Sequence, residues 1–162
     1  GGHLTDSAGM EIVASFDSPL GWLTLTEQDG YITALDWGGV RQCRAVTPLL
    51  AEAGAQLEAY FAHRLTRFDL PMSMPSTPFQ HGVYEALHSI GYGRTKTYGD
   101  IADYVQGSAQ AVGRACGANR IPILIPCHRV LGATSLGGFS GRGGVETKVF
   151  LLRHEGAAGL LI

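Results

Sequence analysis

The sequence has little cysteine: three residues among 162, Cys43, Cys116 and Cys127, with no CxxC pair. An odd number of cysteines at irregular spacing predicts no disulfide framework. The missing CxxC pattern also gives little support for a structural zinc site, so we expect no bound metal. Because disulfides are rare in reducing compartments, this cysteine usage favours a cytoplasmic protein.

Long hydrophobic runs and a strong net charge are also absent. No apolar run approaches the roughly 20 residues that a helix needs to span a bilayer, so we expect no membrane association. The net charge is −2 with 45% apolar residues, which excludes a disordered chain and argues against a strong nucleic-acid binder. Residues 1–79 carry −5 and residues 80–162 carry +3. This split allows a basic C-terminal face, although ordinary scatter explains it equally well.

The N-terminal half is predicted to be a small α/β subdomain, residues 1–70, in which Gly1–His3 resemble a cloning remnant. Strand-like stretches lie between residues 11 and 37, with a turn signal at 18–21 and a hairpin signal at Asp29-Gly30. Residues 49–64 have helical spacing of apolar side chains. Prolines mark residues 71–78 as a linker to a second domain, residues 79–162.

The second domain is predicted to be mainly helical. An amphipathic helix begins at Thr77 and ends at Gly91–Gly93. Two short helices follow, the first capped at 97–100 and the second capped by Ser108 and ended by Gly117, which together read as a helix-turn-helix. The second of these helices is almost all alanine and glycine. Either it packs closely in the core, or its backbone approaches a binding partner closely.

An apolar run between prolines, residues 121–130, is predicted to be a strand that delivers Cys127 and His128. A thiolate is a good nucleophile, and a neighbouring histidine could act as its base if a turn or a water molecule brings them together. Glu155 is a candidate to orient the histidine. The alternative is an ordinary buried thiol, which is also our expectation for Cys43 and Cys116.

Residues 79–156 closely resemble the O6-alkylguanine-DNA alkyltransferases (methylated-DNA–protein-cysteine methyltransferases). The resemblance lies in TYGDIA at 97–102, AVGRACGAN at 111–119, IPILIPCHRV at 121–130 and FLLRHEG at 150–156. It implies an α+β fold, with a small strand-rich N-terminal subdomain followed by a mainly helical domain that contains a helix-turn-helix.

The resemblance also implies roles for individual residues. Cys127 would accept the alkyl group, with His128 as a base acting through water and Glu155 orienting it. Arg129 would brace this motif, Asn119 would tie the helix-turn-helix to it, and Pro122 would form a pocket wall. Tyr98 would favour extrusion of the target base, and Ser140 would contact it. The alanine/glycine helix would contact DNA through Gln110, Ala111, Gly113 and Arg114.

The implied activity is repair of double-stranded DNA containing O6-alkylguanine, with O4-alkylthymine as a further possible substrate. A base inside a duplex cannot present O6 to a thiolate, so it must be flipped out. Transfer to sulfur forms a stable thioether, so each molecule should act once, with no cofactor. The resemblance further implies a monomer that associates with the nucleoid when bound to DNA.

Three positions depart from the family pattern. Gln110 stands where an intercalating arginine is usual, which predicts weaker or more salt-tolerant DNA binding. Phe139 stands where many members have a tyrosine that donates a hydrogen bond to the leaving guanine. Arg120 replaces the more usual proline after Asn119. These changes bear on rate and substrate range rather than on the reaction class.

Three rival functions fit parts of the sequence. A lesion sensor that is non-catalytic or weakly active would recognise the damage, but such proteins lack the acceptor cysteine. A transcriptional regulator would read bases in the major groove, for which the alanine/glycine helix has no suitable side chains. A Cys-His hydrolase would need an oxyanion site, and the sequence shows none.

Overall fold

The computed structural model describes residues 10–39, 46–133, 136–138 and 144–157. The chain divides into two compact units, Gly1–Met74 and Pro75–Ile162. The first contains a three-stranded antiparallel sheet and a helix, and the second is mainly helical, so the predicted α+β architecture is confirmed. Within the described ranges, no helix is both long and apolar enough to cross a membrane.

The sheet of the first unit is a meander of β1 (Glu11–Phe16), β2 (Leu23–Gln28) and β3 (Tyr31–Trp37). The two predicted turns connect the strands. Gly21 donates its N–H to the carbonyl of Ser18 and has a φ of +90°. Asp29 and Gly30 both have positive φ, as a tight two-residue hairpin requires.

Helix α1 (Pro48–Phe61) begins at the Thr47 cap and packs on this sheet through Leu50, Leu57 and Tyr60. It ends at Phe61, three residues earlier than the spacing predicts. Residues 71–73 fall in the linker that the prolines predict, yet they pair with β3. The N–H of Ile32 donates to the carbonyl of Pro71, and the N–H of Ser73 donates to the carbonyl of Ile32.

The second unit begins with α2 (Pro78–His88), which opens on a capping box formed by Thr77 and Gln80. Helices α3 (Tyr98–Val105) and α4 (Ala109–Gly117) form the helix-turn-helix, capped by Thr97 and Ser108 as predicted. The predicted cap at Gly117 is wrong, because Gly117 is the last residue of α4 and Ala118 caps it in a right-handed conformation.

The segment between α4 and Cys127 is a compact turn, so the predicted strand over 121–130 is wrong for most of its length. Two prolines and a positive φ at Ile123 bend the chain, and Ile125 donates its N–H to the carbonyl of Ile121. Only β5 (Val130–Leu131) is extended, paired in parallel with β4 (Lys96–Thr97). Helix α5 (Val145–His154) closes the described part of the unit.

Candidate active site

A pocket of about 610 Å³ lies in the second unit beside the helix-turn-helix. Most of its lining residues are small, and α4 supplies most of them. They are Tyr98, Ala109, Gln110, Gly113, Cys116, Gly117, Cys127 and Gly138. Because α4 carries glycine at two of these positions, its backbone borders the open space directly. The volume lies within the usual range of small-molecule sites.

Cys127 reaches this pocket from a 3-10 turn, Cys127–Arg129, rather than from a strand. The turn is closed by the N–H of Arg129, which donates to the carbonyl of Pro126. Successive side chains in such a turn are not forced to opposite faces, as they are in a strand. A 3-10 turn is therefore compatible with both side chains serving one site.

Asn119 connects the end of α4 to the segment before the thiol. Its Nδ2 donates to the carbonyl of Ile125 over 2.9 Å, and its Oδ1 accepts from the N–H of Ile121 over 3.0 Å. Both contacts are buried, so they satisfy backbone groups that an irregular turn would otherwise leave unpaired. Asn119 therefore ties the helix-turn-helix to the Cys127 segment, as the resemblance implies.

The thiol of Cys127 is only 6% exposed. Burial raises its pKa, while a hydrogen bond with the Asn119 side chain and the positive charge of Lys148 act in the opposite direction. The resting group is therefore a thiol at neutral pH, and its reaction as a thiolate requires a base to take the proton.

His128 and Glu155 form a buried pair that could supply this base. The Nε2 of His128 lies 2.7 Å from Oε2 of Glu155, and neither side chain is exposed. Arg129 donates from Nε to Oε1 over 2.8 Å and from Nη2 to Oε2 over 3.0 Å. Burial alone would raise the pKa of Glu155, but the contacts with His128 and Arg129 lower it well below its ordinary value.

This arrangement determines which histidine nitrogen is available. An ionised Glu155 accepts a hydrogen bond, so Nε2 of His128 is its N–H donor and Nδ1 carries the lone pair. Among the described residues, Nδ1 of His128 is a buried side-chain nitrogen with no hydrogen-bond partner. Burial lowers the pKa of His128 despite the opposing effect of Glu155. The imidazole is therefore neutral and able to accept a proton at Nδ1.

Lys148 on α5 is a functional candidate that the sequence reasoning missed. Its side chain is fully buried, and Nζ donates to the carbonyls of Val130 over 2.6 Å and Gly138 over 3.1 Å. It also lies 5.7 Å from the centre of the Tyr98 ring. The available signal is spacing, because Lys148 lies three residues before Leu151 and four before Leu152, on the buried face of α5.

The other predicted site residues are placed as follows. Tyr98, Gln110 and Gly113 line the pocket. Ala111 is half-buried and Arg114 exposed on α4, and neither lines the pocket. Pro122 lies in the buried turn and is not among the described lining residues, so it is not seen as a pocket wall. Phe139, Ser140 and Cys43 fall outside the described residues.

Cys116 differs from our expectation of an ordinary buried thiol. It is buried, and burial raises its pKa to about 12, but it lines the same pocket as Cys127. Two thiols therefore border one cavity. Burial raises the pKa of both thiols, but Cys127 is followed directly by His128, and a hydrogen bond with Asn119 favours its ionised form. Cys127 is therefore the better candidate nucleophile.

Comparison with known protein families identifies both units. Residues 12–74 match the model described as "6-O-methylguanine DNA methyltransferase, ribonuclease-like domain". Residues 78–157 match "6-O-methylguanine DNA methyltransferase, DNA binding domain". The chain belongs to the 6-O-methylguanine DNA methyltransferase family, which confirms the resemblance seen in the sequence motifs.

Individual relatives agree with this assignment. The chain is 40% identical to a constitutive methylated-DNA–protein-cysteine methyltransferase of Bacillus subtilis, over 90% of this chain and 96% of that one. It is 41% identical to the methylated-DNA–protein-cysteine methyltransferase of Mycobacterium tuberculosis, over 87% and 90% of the two chains. The crystal structure of M. tuberculosis OGT in complex with DNA matches with a TM-score of 0.77 and 41% identity, over 89% and 92%.

Proposed function

We propose that this protein repairs DNA by transferring an alkyl group from O6 of guanine to Sγ of Cys127, once per molecule. A bond forms between Sγ and the alkyl carbon while the bond between that carbon and O6 breaks. The thiol proton is taken up as Sγ attacks, and a proton is returned to the leaving guanine. The products are unmodified guanine and an S-alkylcysteine, so atoms and charge balance without a cofactor.

The observation that carries this proposal is the hydrogen-bonded pair of His128 and Glu155 directly after Cys127 in the chain. A buried thiol borders an open pocket, and the next residue is a neutral histidine whose Nε2–H is held by an ionised carboxylate. Its Nδ1 has no protein partner among the described residues. One water molecule between Nδ1 and Sγ would pass the thiol proton to His128, which is general-base catalysis through water.

The pocket and its surroundings suit DNA as the partner. Helix α4 presents small residues, with Gly113 and Gly117 bordering the pocket and Arg114 exposed where it could reach a phosphate. A target base must leave the duplex to reach Cys127, and extrusion costs a few kcal/mol. We assign to Tyr98, which lines the pocket, the role of favouring the extruded position of the base over its stacked position in the duplex. The same pocket could accept O4-alkylthymine.

Gln110 is the residue at which DNA binding should differ from the family pattern. It is exposed and lines the pocket, so it could fill the space that a flipped base leaves, but it has no charge. A Gln110→Arg variant should bind lesion DNA more tightly at low salt. The slope of the logarithm of the binding constant against the logarithm of the salt concentration should steepen by about one, because one more phosphate is neutralised. Unchanged affinity and salt slope in a binding titration would refute this assignment.

The test is intact-protein mass spectrometry after incubation with an oligonucleotide carrying one O6-methylguanine. We expect one added methyl group per molecule, saturating at one equivalent of lesion and absent in Cys127→Ser. A Cys116→Ser variant is the matched control, since its thiol lines the same pocket but is not followed by a histidine. It should accept the methyl group as the unaltered protein does.

Two results would contradict the proposal. Lesion binding without any added mass would indicate a non-catalytic lesion sensor. Repeated turnover without protein modification would indicate a hydrolytic enzyme. Gel-filtration of the protein alone and with the oligonucleotide would also test the expected monomer.

A further inference from the structure

The turn that follows α2, residues 90–93, makes several contacts with the Arg129–Glu155 pair. The carbonyl of Ile90 accepts a hydrogen bond from Nη1 of Arg129 over 2.6 Å. The N–H of Gly93 donates to Oε1 of Glu155 over 3.3 Å. Tyr92 donates from its hydroxyl to the carbonyl of His154 over 3.3 Å, and its ring centre lies 6.0 Å from the Arg129 guanidinium.

Gly93 is suited to this position in two independent ways. Its φ of +75° lies in the left-handed region, which favours glycine. A Cβ added to Gly93 would stand 3.0 Å from the backbone oxygen of Glu155, so Glu155 would have to move by a few tenths of an ångström. The backbone at Gly93 therefore lies so close to Glu155 that any side chain at position 93 would press against the Glu155 carbonyl.

Gly91, two residues earlier in the same turn, lacks both features. It is not among the positive-φ residues, and a Cβ added there would meet only Cγ of Arg94 at 3.6 Å, an ordinary contact. Gly93 therefore combines a left-handed backbone with a close approach to Glu155, and Gly91 is a glycine of the same turn that has neither.

We propose that the turn at residues 90–93 is a positioning element for Glu155, and through Glu155 for the imidazole of His128. The N–H of Gly93 binds Oε1 of Glu155 directly. The turn also acts on both carboxylate oxygens through Arg129, because Ile90 and Tyr92 orient the guanidinium that binds them. Since Oε2 holds Nε2 of His128, a shift of the carboxylate turns the ring and moves Nδ1 relative to Cys127. This inference rests on the proposed function of Cys127 and His128.

The first experiment compares Gly93→Ala with Gly91→Ala in single-turnover reactions on O6-methylguanine DNA. Displacing Glu155 should lower the maximal transfer rate constant of Gly93→Ala about tenfold, because small errors in the position of a base are costly. The lesion-DNA concentration that gives half-maximal rate should stay within about twofold, since the turn is not part of the pocket lining. Gly91→Ala should match the unaltered protein in both quantities.

A second readout needs no reaction. The ¹⁵N chemical shifts of the His128 imidazole report which nitrogen carries the proton and how strongly it is held. Three groups face the hydrogen-bonded pair of His128 and Glu155. They are Arg129 from the 3-10 turn, Tyr92 from the turn after α2, and Lys148 from α5. We expect the Nε2 signal to move in Gly93→Ala and to stay unchanged in Gly91→Ala.

Tyr92 gives a test that remains valid if Gly93→Ala does not fold. Tyr92→Leu removes the ring beside Arg129 and should lower the maximal rate constant severalfold, with His128 signals that shift in the same sense. Tyr92→Phe keeps the ring beside Arg129 and removes the hydroxyl that donates to the carbonyl of His154, and its rate should stay within about twofold of the unaltered protein.

The outcomes separate this inference from the proposed function. If the unaltered protein does not transfer the methyl group at all, the proposed function fails. If it does, and Gly93→Ala and Tyr92→Leu transfer at the unaltered rate with unchanged His128 signals, the positioning role of the turn is refuted. A loss that affects only half-saturation, with an unchanged maximal rate, also refutes it, because it would indicate a DNA contact instead.

Discussion

The two units bury different kinds of side chain. The described core of the first unit is apolar apart from Thr24 and Thr26, whereas the second unit buries His128, Arg129, Lys148 and Glu155 close to Cys127. Burying charged groups is costly even when they are paired, and an apolar core of the same volume is often as stable or more stable. The core of the first unit is therefore packed in the way that favours stability. The second unit keeps buried charged groups in the segment around Cys127, where they contribute less to stability.

One glycine from each unit shows a second contrast. Gly54 in α1 faces the Phe16 ring, where an added Cβ would come within 2.2 Å of a ring carbon. An added Cβ at Gly113 in α4 would meet no described atom within 4 Å, although Gly113 lines the pocket. Gly54 is needed for internal packing, while Gly113 leaves space that the protein itself does not fill.

The largest expected effect comes from removing the charge of Glu155. Glu155→Gln leaves Arg129 buried without its counter-charge, so the free energy of unfolding should fall by about 3–5 kcal/mol. Chemical denaturation would measure this loss. The matched control is the exposed pair of Glu58 and Arg64 in the first unit, 3.9 Å apart. Glu58→Gln should cost less than about 1 kcal/mol, and equal losses in the two variants would remove the distinction between the units.

Lys148 should affect the reaction more than any other lysine or arginine of α5. Lys148→Met removes the donor to Val130 and Gly138 and the positive charge that favours a thiolate at Cys127. We expect at least a tenfold lower single-turnover rate, since this corresponds to only about 1.4 kcal/mol at the transition state. Arg153→Met, an exposed change on the same helix, should leave the rate unaltered. A normal rate in Lys148→Met would show that the buried lysine is only structural.

The two glycines should respond oppositely to alanine. Gly54→Ala forces Cβ against Phe16 and should destabilise the protein by about 1–3 kcal/mol. Gly113→Ala should stabilise α4 by about 0.5–1 kcal/mol, because glycine is unfavourable inside a helix. The same Gly113→Ala change should weaken lesion-DNA binding. Thermal unfolding together with a binding titration would measure both effects, and a stabilised variant with full binding would contradict a DNA-facing role for Gly113.

The smallest effect is a dependence of stability on pH that originates in the second unit. Burial lowers the pKa of His128, so this histidine binds a proton more readily in the unfolded chain than in the folded protein. Stability should therefore fall as the pH drops below the ordinary histidine value near 6.5, by about 1 kcal/mol in the first pH unit. Denaturation at several pH values would measure this slope. It should be shallower in His128→Gln, and an unchanged slope would show that His128 is not its source.

Local patterns in the sequence were enough to predict much of the fold. The Asp29-Gly30 hairpin and the caps at Thr97 and Ser108 depend on neighbours within a few residues, and the structure confirms them. The pairing of residues 71–73 with Ile32 could not be predicted in this way, because it joins segments about 40 residues apart. The prolines of this segment were correctly seen as breaks in regular structure, but they do not prevent such pairing.

The site was predicted in part for the same reason. Cys127, His128 and Glu155 were named from the Pro-Cys-His-Arg motif and a distant carboxylate, and the structure brings His128 and Glu155 into contact. Apolar composition predicts a strand over 121–130, but it does not reveal the side-chain bonds of Asn119 that stabilise a turn over 121–126. Lys148 and Gly93 were missed because their importance depends on groups far away in the sequence.

The most direct test of the account is to locate the alkyl group after reaction with O6-methylguanine DNA. Trypsin cleaves after Arg114, Arg120 and Arg129, so Cys116 and Cys127 fall in separate peptides, residues 115–120 and 121–129. Fragment mass spectrometry should place the methyl group on Cys127, in the 121–129 peptide alone. A methyl group on the 115–120 peptide, or on neither peptide while the lesion disappears, would contradict the assignment of Cys127 as the acceptor.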